Sequence, residues 1–363
     1  MMVPYARHSI DEQDIDAVNE VLRSSWLTQG PKVGEFEQAL CAHTGAKYAV
    51  AVSSGTAALH LACIAAGVGP GKPVVVPTLT FVASANAVIH AGGFPLLADV
   101  EWGTWLLKEQ IPMVNAPVMP VYFAGLPMDI KKLKQTYRRV PIIADACHAL
   151  GATVNGKRIG EMGADFTCGS THPAKHITTG EGGFILTDNE RAAELLRALR
   201  DHGRGKADDR EPWARTQEVM GWNYRMTEIQ AALGISQLRK ADTWLARRHE
   251  IANAYCRDLN ECAFPVEIAP HTTQVKSADH LFPIWLNPNR YDRREVYHRL
   301  HEKGVQVQVH YKPVHQHPFH ELDPEMFPNA ERYYRGCLSL PIFGTMTDAE
   351  VEHVVKSVRE VLS

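Results

Sequence analysis

Little in this 363-residue sequence points to nucleic acid, a membrane or an oxidising compartment. Positive charge is not in excess: 38 Lys and Arg stand against 41 Asp and Glu, a net charge of -3. No basic stripe marks a phosphate-backbone partner, so nucleic acid is not expected. The seven cysteines form no CxxC pair, are odd in number and have mostly apolar neighbours, as befits free thiols in a reducing cytosol. At the start, Met1 to Arg7, no apolar core follows the charge, so no signal peptide is read and the expected location is cytoplasmic. Residues 73–98 lack Asp, Glu, Lys and Arg, but Pro77, Gly92, Gly93 and Pro95 interrupt them. That stretch reads as strand 74–76, helix 84–90 and strand 94–98, and no membrane span is expected. There is no internal repeat and no low-complexity tract.

What is present is alternation. The chain is 45% hydrophobic and 22% charged, an ordinary globular balance, and is long enough for two domains. Helical spacing covers 10–22, with Ser9 as its cap, then 33–43, closed by Gly45. Strand 48–52 and helix 56–66 follow, then strands 117–123 and 140–145 and helix 190–200. Strand–helix alternation argues a largely parallel sheet covered on both faces. Residues 201–218 are charged and aperiodic and read as an exposed loop. Helix 227–241 is capped by Thr227, and the amphipathic helix 245–259 leads into a second lobe. That lobe is expected to hold strand 280–286, helix 293–303, strand 305–309 and helix 348–362.

Between strand 165–169 and strand 183–187 lies Ser170-Thr171-His172-Pro173-Ala174-Lys175, followed by a run to Gly183 rich in threonine and glycine. A lysine held between rigid strands suits imine formation with an aldehyde, provided desolvation and nearby positive charge lower its pKa from about 10.4. A solvated loop lysine is the plainer reading of Lys175 taken alone. Three other segments bear on it. In Ser53-Ser54-Gly55-Thr56, a turn before a helix offers free N–H groups to a phosphate, or is only a cap. In Ala144-Asp145-Ala146-Cys147-His148, an acid closes an apolar strand. There it serves equally well to pair with a pyridinium N–H or to cap the next helix, and His148 lies near such a ring or only packs. In Gly221-Trp222-Asn223-Tyr224-Arg225, Asn223 and Arg225 are the polar groups of what is otherwise a turn and a cap.

Taken in order, these segments resemble the DegT/DnrJ/StrS family of sugar aminotransferases, from Pro4-Tyr5 to Ser339-Leu340-Pro341. The most specific pieces are Trp26-Leu27-Thr28-Gln29-Gly30-Pro31, Ser54-Gly55-Thr56-Ala57-Ala58-Leu59, Thr80-Phe81-Val82-Ala83-Ser84, the Asp145 to Gly151 run, the lysine loop, and Asn223-Tyr224-Arg225-Met226. The resemblance implies an α/β chain of the fold type I transferases that use pyridoxal 5'-phosphate (PLP). These have a large domain with a mostly parallel central sheet (1–244) and a smaller C-terminal α+β domain (245–363). It implies that Lys175 bonds to the cofactor aldehyde and Asp145 pairs with the ring nitrogen. Gly55, Thr56 and Ser170 are then expected to hold the phosphate, Phe81 to stack on the ring, and His148 to lie close to it. Asn223 is expected to reach the phosphate of a neighbouring subunit, which makes a homodimer with shared active sites.

Within the family the chain looks most like the subgroup that aminates C4 of a UDP-linked 4-keto-6-deoxy-N-acetylhexosamine in pseudaminic acid biosynthesis. Val309-His310-Tyr311-Lys312-Pro313-Val314 is among the matching pieces. L-Glutamate is the implied donor, with ping-pong kinetics. Tyr5, Leu27, Thr28, Gln29, Gly30, His310 and Tyr311 fall where this subgroup binds its nucleotide sugar. Two positions depart from the pattern: Tyr122, where many relatives carry His, and Thr171, where Phe is usual. A PLP-dependent sugar dehydratase of the same family would replace the lysine with histidine, whereas Lys175 is intact. A non-enzymatic binding protein of the same fold would not need Lys175, Asp145 and Ser170 together. His310, His315, His317 and His320 crowd one segment, but Pro313 and Pro318 break the helix that would space metal ligands, and no metal is expected.

Overall fold

The structure is a computed structural model that describes residues 1–108, 115–205, 213–260 and 274–363. Its first half alternates α1 (Glu12–Leu22), α2 (Pro31–Thr44), β1 (Tyr48–Val52), α3 (Gly55–Ala65), β2 (Pro73–Pro77), α4 (Ala83–His90), β3 (Phe94–Ala98), α5 (Ile130–Thr136) and β4 (Ile143–Asp145). Two short strands, β5 (Thr153–Val154) and β6 (Lys157–Arg158), precede β7 (Phe166–Ser170) and β8 (Gly183–Thr187). Then come α6 (Glu190–Arg200), α7 (Glu228–Leu238), α8 (Ala241–Asn260), β9 (Val275–Lys276), β10 (Phe282–Trp285), α9 (Arg293–Glu302), α10 (Pro328–Gly336), β11 (Cys337–Leu340) and α11 (Asp348–Leu362).

One sheet runs β1-β8-β7-β4, and a parallel pair β2-β3 lies beyond it. Residues 117–121 join the two, with parallel bridges from Val118 to Val75 and Ile142 and from Val121 to Asp145. The sequence reading made 117–123 a regular strand. Pro117 and Pro120 have no N–H to donate, so pairing there is a run of bridges, and Phe123–Gly125 turns away with Ala124 at φ 58°. Within the sheet β8 is antiparallel to β1 and β7, while β4 and β7 are parallel. Strands buried on both faces need continuous apolar runs, and Val74-Val75-Val76, fully buried, is one.

Helix starts follow side-chain chemistry. The cap of α1 is Asp11, not Ser9: Asp11 Oδ1 accepts from Asp14 N at 3.2 Å, and Asp14 Oδ2 accepts from Asp11 N at 3.1 Å. A reciprocal pair satisfies two orphan donors where a lone serine satisfies one. The α2 helix begins at Pro31, two residues before the expected 33, because the fixed φ of proline suits a first turn. Thr227 caps α7 as expected, with Gln230 completing the box. The segment 201–218, expected to be exposed, begins with a buried residue. Asp201 accepts from Arg204, Arg215 and Arg225 at 2.7–3.2 Å. Its middle, 206–212, lies outside the described residues.

The second lobe has its own apolar cluster. Ile251, Tyr255 and Leu259 of α8 meet Phe282, Leu338, Val296 and Val354 there, and Val3 joins from the chain start. The expected strand 305–309 is reduced to bridges from Val305 to Val3 and from Gln308 to Ser339. The expected division at 244/245 falls inside α8, which begins at Ala241. Among the described residues no helix is long and apolar enough to cross a membrane.

Candidate active site

The loop between β7 and β8 presents Lys175. Thr171 N donates to Gly182 O and Thr179 N to Thr171 O, both at 2.9 Å, and the two threonine hydroxyls meet at 2.6 Å. Thr171, which replaces the usual Phe, is therefore a fully buried strut of the loop. Lys175 N donates to His172 O at 2.8 Å, and the side chain is half-buried. Burial holds its amine below the ordinary lysine value; Cys147 and Asp145 pull the other way, and the Arg248 guanidinium reinforces the lowering.

Asp145 ends β4 and is buried. Oδ2 accepts from Ser84 Oγ at 2.7 Å and Oδ1 from Cys147 N at 3.2 Å. Ser84 is itself oriented by Thr80, hydroxyl to hydroxyl, at 2.7 Å. No helix starts after Asp145; the chain turns, Ala149 N donating to Ala146 O, so the carboxylate is not a helix cap. Two hydrogen bonds leave lone pairs unused on a carboxylate that no ion pair among the described residues meets.

At the other edge, α3 starts at Gly55. Ser54 Oγ is spent as its cap, accepting from Ala57 N at 3.1 Å. A Cβ on Gly55 would stand 2.9 Å from Ser170 Cβ and 3.3 Å from Cys147 Sγ. Only glycine lets the first turn of α3 close on Ser170, and Thr56 shares that turn. Free N–H groups beside two hydroxyls make an oxyanion cradle.

Aromatic groups wall the site. Tyr311 Oη lies 3.1 Å from His148 Nε2, the Phe81 and Tyr311 ring centres are 5.8 Å apart, and those of Tyr5 and His310 are 5.0 Å apart. The His148 and His280 rings lie tilted with centres 4.3 Å apart, and His280 approaches His176 at 5.4 Å. Burial pushes His148, His176 and His280 well below the ordinary histidine value, and His310 down to about 4. Buried Tyr122 supplies no titrating group, its phenol being raised by burial and by Asp129. His310 and His315 are tied to Ser339 and to Thr78 and Glu331 respectively. Among the described residues no group of three His, Cys, Asp or Glu could hold a metal ion.

Lys175, Asp145, Gly55, Thr56, Ser170, His148, Phe81, Tyr5, His310 and Tyr311 thus belong to one region. Leu27, Thr28, Gln29, Gly30 and Asn223 do not join it within the chain. Thr28 bridges to Thr227, Glu228 N donates to Leu27 O at 3.0 Å, and exposed Asn223 bridges to Asp201. Gln29 and Gly30 open on a separate cleft of about 710 Å³ that is rich in arginine. Sequence reasoning passed over Ser84 and Arg248. Ser84 stood inside a quoted motif, and Arg248 broke an apolar stripe (Leu245, Ala252, Tyr255, Leu259), a signal that could have been read.

The residues fit a flat pyridine aldehyde phosphate. They offer a cradle for the anion, an unpaired carboxylate for a ring N–H, aromatic walls and a desolvated amine. Sequence comparison gives the same answer. The profile of the DegT/DnrJ/EryC1/StrS aminotransferase family matches residues 8–359. Spore coat polysaccharide biosynthesis protein SpsC of Bacillus subtilis is 35% identical over 380 residues, covering 99% of this chain and 97% of that protein. The PLP form of a putative sugar aminotransferase, Spr1654 of Streptococcus pneumoniae, superposes with a TM-score of 0.92 at 28% identity, covering 99% of this chain and 98% of the other. Helicobacter pylori PseC, an aminotransferase of pseudaminic acid biosynthesis, superposes with a TM-score of 0.91 at 29% identity, covering 100% and 99%. The chain belongs to the DegT/DnrJ/EryC1/StrS aminotransferase family and is a PLP-dependent sugar aminotransferase of fold type I.

Proposed function

We propose that this enzyme moves an amino group from L-glutamate to C4 of a UDP-linked 4-keto-6-deoxy-N-acetylhexosamine, the reaction type of the pseudaminic acid pathway. The reading rests on one arrangement: a desolvated Lys175 amine beside an unpaired Asp145 and the Gly55–Ser170 cradle, walled by Tyr5, His310 and Tyr311. The likeness to Helicobacter pylori PseC supports the choice of sugar. Bound there, PLP supplies an electron sink for the bond-breaking at the amino-bearing carbon. Gly55, Thr56 and Ser170 grip the phosphate, Asp145 keeps the ring nitrogen protonated, Phe81 covers the ring and His148 lies beside it. Lys175 would anchor the aldehyde, and once released its amine would take the proton from the donor's α-carbon and pass it to the cofactor carbon. Tyr5, His310 and Tyr311 bind the nucleotide sugar.

Leu27, Thr28, Gln29, Gly30 and Asn223, which open away from their own Lys175, complete the site of a second copy, so the working unit is a homodimer with shared sites. Residues 1–244 form the cofactor-binding domain and 245–363 the smaller one. The free cysteines suit a cytoplasmic setting. Borohydride reduction of the PLP-loaded chain, followed by peptide mapping, should tag Lys175; a tag elsewhere sinks the reading. Incubation with glutamate and a panel of UDP- and dTDP-linked keto sugars should give a 4-amino product from the UDP-linked N-acetyl sugar. Transfer to dTDP sugars alone would refute the substrate assignment.

A further inference from the structure

Arg248 is a charge on an otherwise apolar face of α8 and is only 3% exposed. Its Nη1 donates to the main-chain oxygens of Ile342 at 2.9 Å, Asp279 at 3.2 Å and His280 at 3.3 Å, while its Nε is buried without a partner. Carbonyl dipoles solvate a guanidinium but leave its charge in place; the buried Asp279 carboxylate and Tyr5 offset it in part, though no salt bridge to Arg248 forms among the described residues. A buried cation with no directly bonded counter-charge is costly, and such groups cluster where the field has a use.

The field falls on Lys175. Arg248 and Lys175 line the same narrow hollow with Arg7, His8, His176 and Trp244, and no Asp or Glu lines it. The charge of Arg7 is met by Glu350 at 3.3 Å; Arg248 has no such salt bridge among the described residues. From the end of β4, Asp145 and Cys147 face the amine. His148, His176, His280 and His310 also surround it, and burial keeps all four neutral. Burial lowers the amine most; Cys147 and Asp145 work against it, and Arg248 adds to the lowering.

We propose that Arg248 is a positioning residue for Lys175: its buried guanidinium, in the same hollow, works against Asp145 and adds to the burial that favours the uncharged, nucleophilic amine. This rests on the amino-transfer reading and adds the device that readies the lysine for it.

The test uses the full-length chain freed of cofactor and labelled with trace trinitrobenzenesulfonate, with peptide mapping at position 175 and exposed Lys356 as the internal control. In R248Q, Lys175 labelling should fall roughly tenfold near pH 7.5 and approach the wild-type rate near pH 10, where the amine is uncharged in both. R248K keeps the charge and should stay within about twofold of wild type. Should R248Q not fold, Tyr5→Glu keeps the guanidinium but places a carboxylate beside it, and the same fall is expected. An unchanged rate in folded R248Q, no fall in Tyr5→Glu, or a fall in R248K as deep as in R248Q would overturn the proposal. Borohydride mapping of the wild type separates this failure from the larger one. A tag on Lys175 with no effect of Arg248 removes only the present inference.

Discussion

At the scale of single residues, the site is organised by what burial does to charge. Asp145 keeps its place because Ser84 and the Cys147 amide satisfy part of it, leaving the rest for a ring N–H. Ser84→Ala removes a hydrogen bond to a charged acceptor, about 2 kcal/mol, so cofactor affinity should fall roughly 30-fold. Fluorescence titration of the chain with PLP measures this, and an unchanged affinity would show that Ser84 does not hold Asp145 in place. The histidines give a pH signature. Burial lowers the folded pKa of His148, His176, His280 and His310 below the unfolded value of 6.5, for His310 to about 4. Below that unfolded value the unfolded chain takes up protons that the folded one refuses. Their contribution is therefore complete above pH 6.5 and is lost as pH falls towards 4. Urea midpoints at stepped pH should decline over that window. His280→Phe should flatten the decline, and a slope it leaves unaltered would exclude the buried histidine cluster as a source.

At the scale of elements, the same segments that were readable in sequence carry the site. The strands 48–52, 94–98 and 183–187 and the helices 190–200 and 348–362 have the bounds their periodicity gave, because each has a single buried pattern and clear punctuation. Failures came where local rules compete. Pro117 and Pro120 sit in a central strand position yet cannot complete a ladder, and Asp11 displaces Ser9 because Asp14 reciprocates. The first turn of α3 depends on Gly55, so Gly55→Ala should force the helix start off Ser170. PLP retention should weaken by about 5- to 150-fold, through overpacking of about 1–3 kcal/mol. Retention after gel filtration checks this; wild-type retention would mean the turn yields at no cost. Thr227→Ala should lower stability by about 1 kcal/mol through the lost cap, read from urea unfolding with an unchanged slope.

At the scale of the whole molecule, five of the fourteen expected binding residues do not join the region of their own lysine. Leu27 and Thr28 pair with the start of α7, and Asn223 bridges to Asp201, which lines the arginine-rich cleft and pairs with Arg225. Burial works to raise the Asp201 carboxyl, but the hydrogen bonds and charges of Arg204 and Arg225 outweigh it and leave it below the usual range. Along that cleft Asp201 ties Arg204, Arg215 and Arg225 together. If two chains share sites, inactive Lys175→Ala and inactive Asn223→Ala should complement when mixed and allowed to exchange. One site of each hybrid dimer is then intact, and about a quarter of wild-type activity should return. No recovery, with hybrids verified by mass spectrometry, would place Asn223 outside the partner's site.

The sequence alone determined the alternation of strands and helices, the loop that presents Lys175, and the acid that closes β4. Each follows from local periodicity, turn chemistry and motif order, which short stretches of chain encode. Only the tertiary structure decided that Ser84 holds Asp145, that His280 packs against His148, and that a helix from the far lobe brings Arg248 to the lysine. These partners are distant along the chain. Their meeting depends on how whole layers pack, and no local pattern carries that.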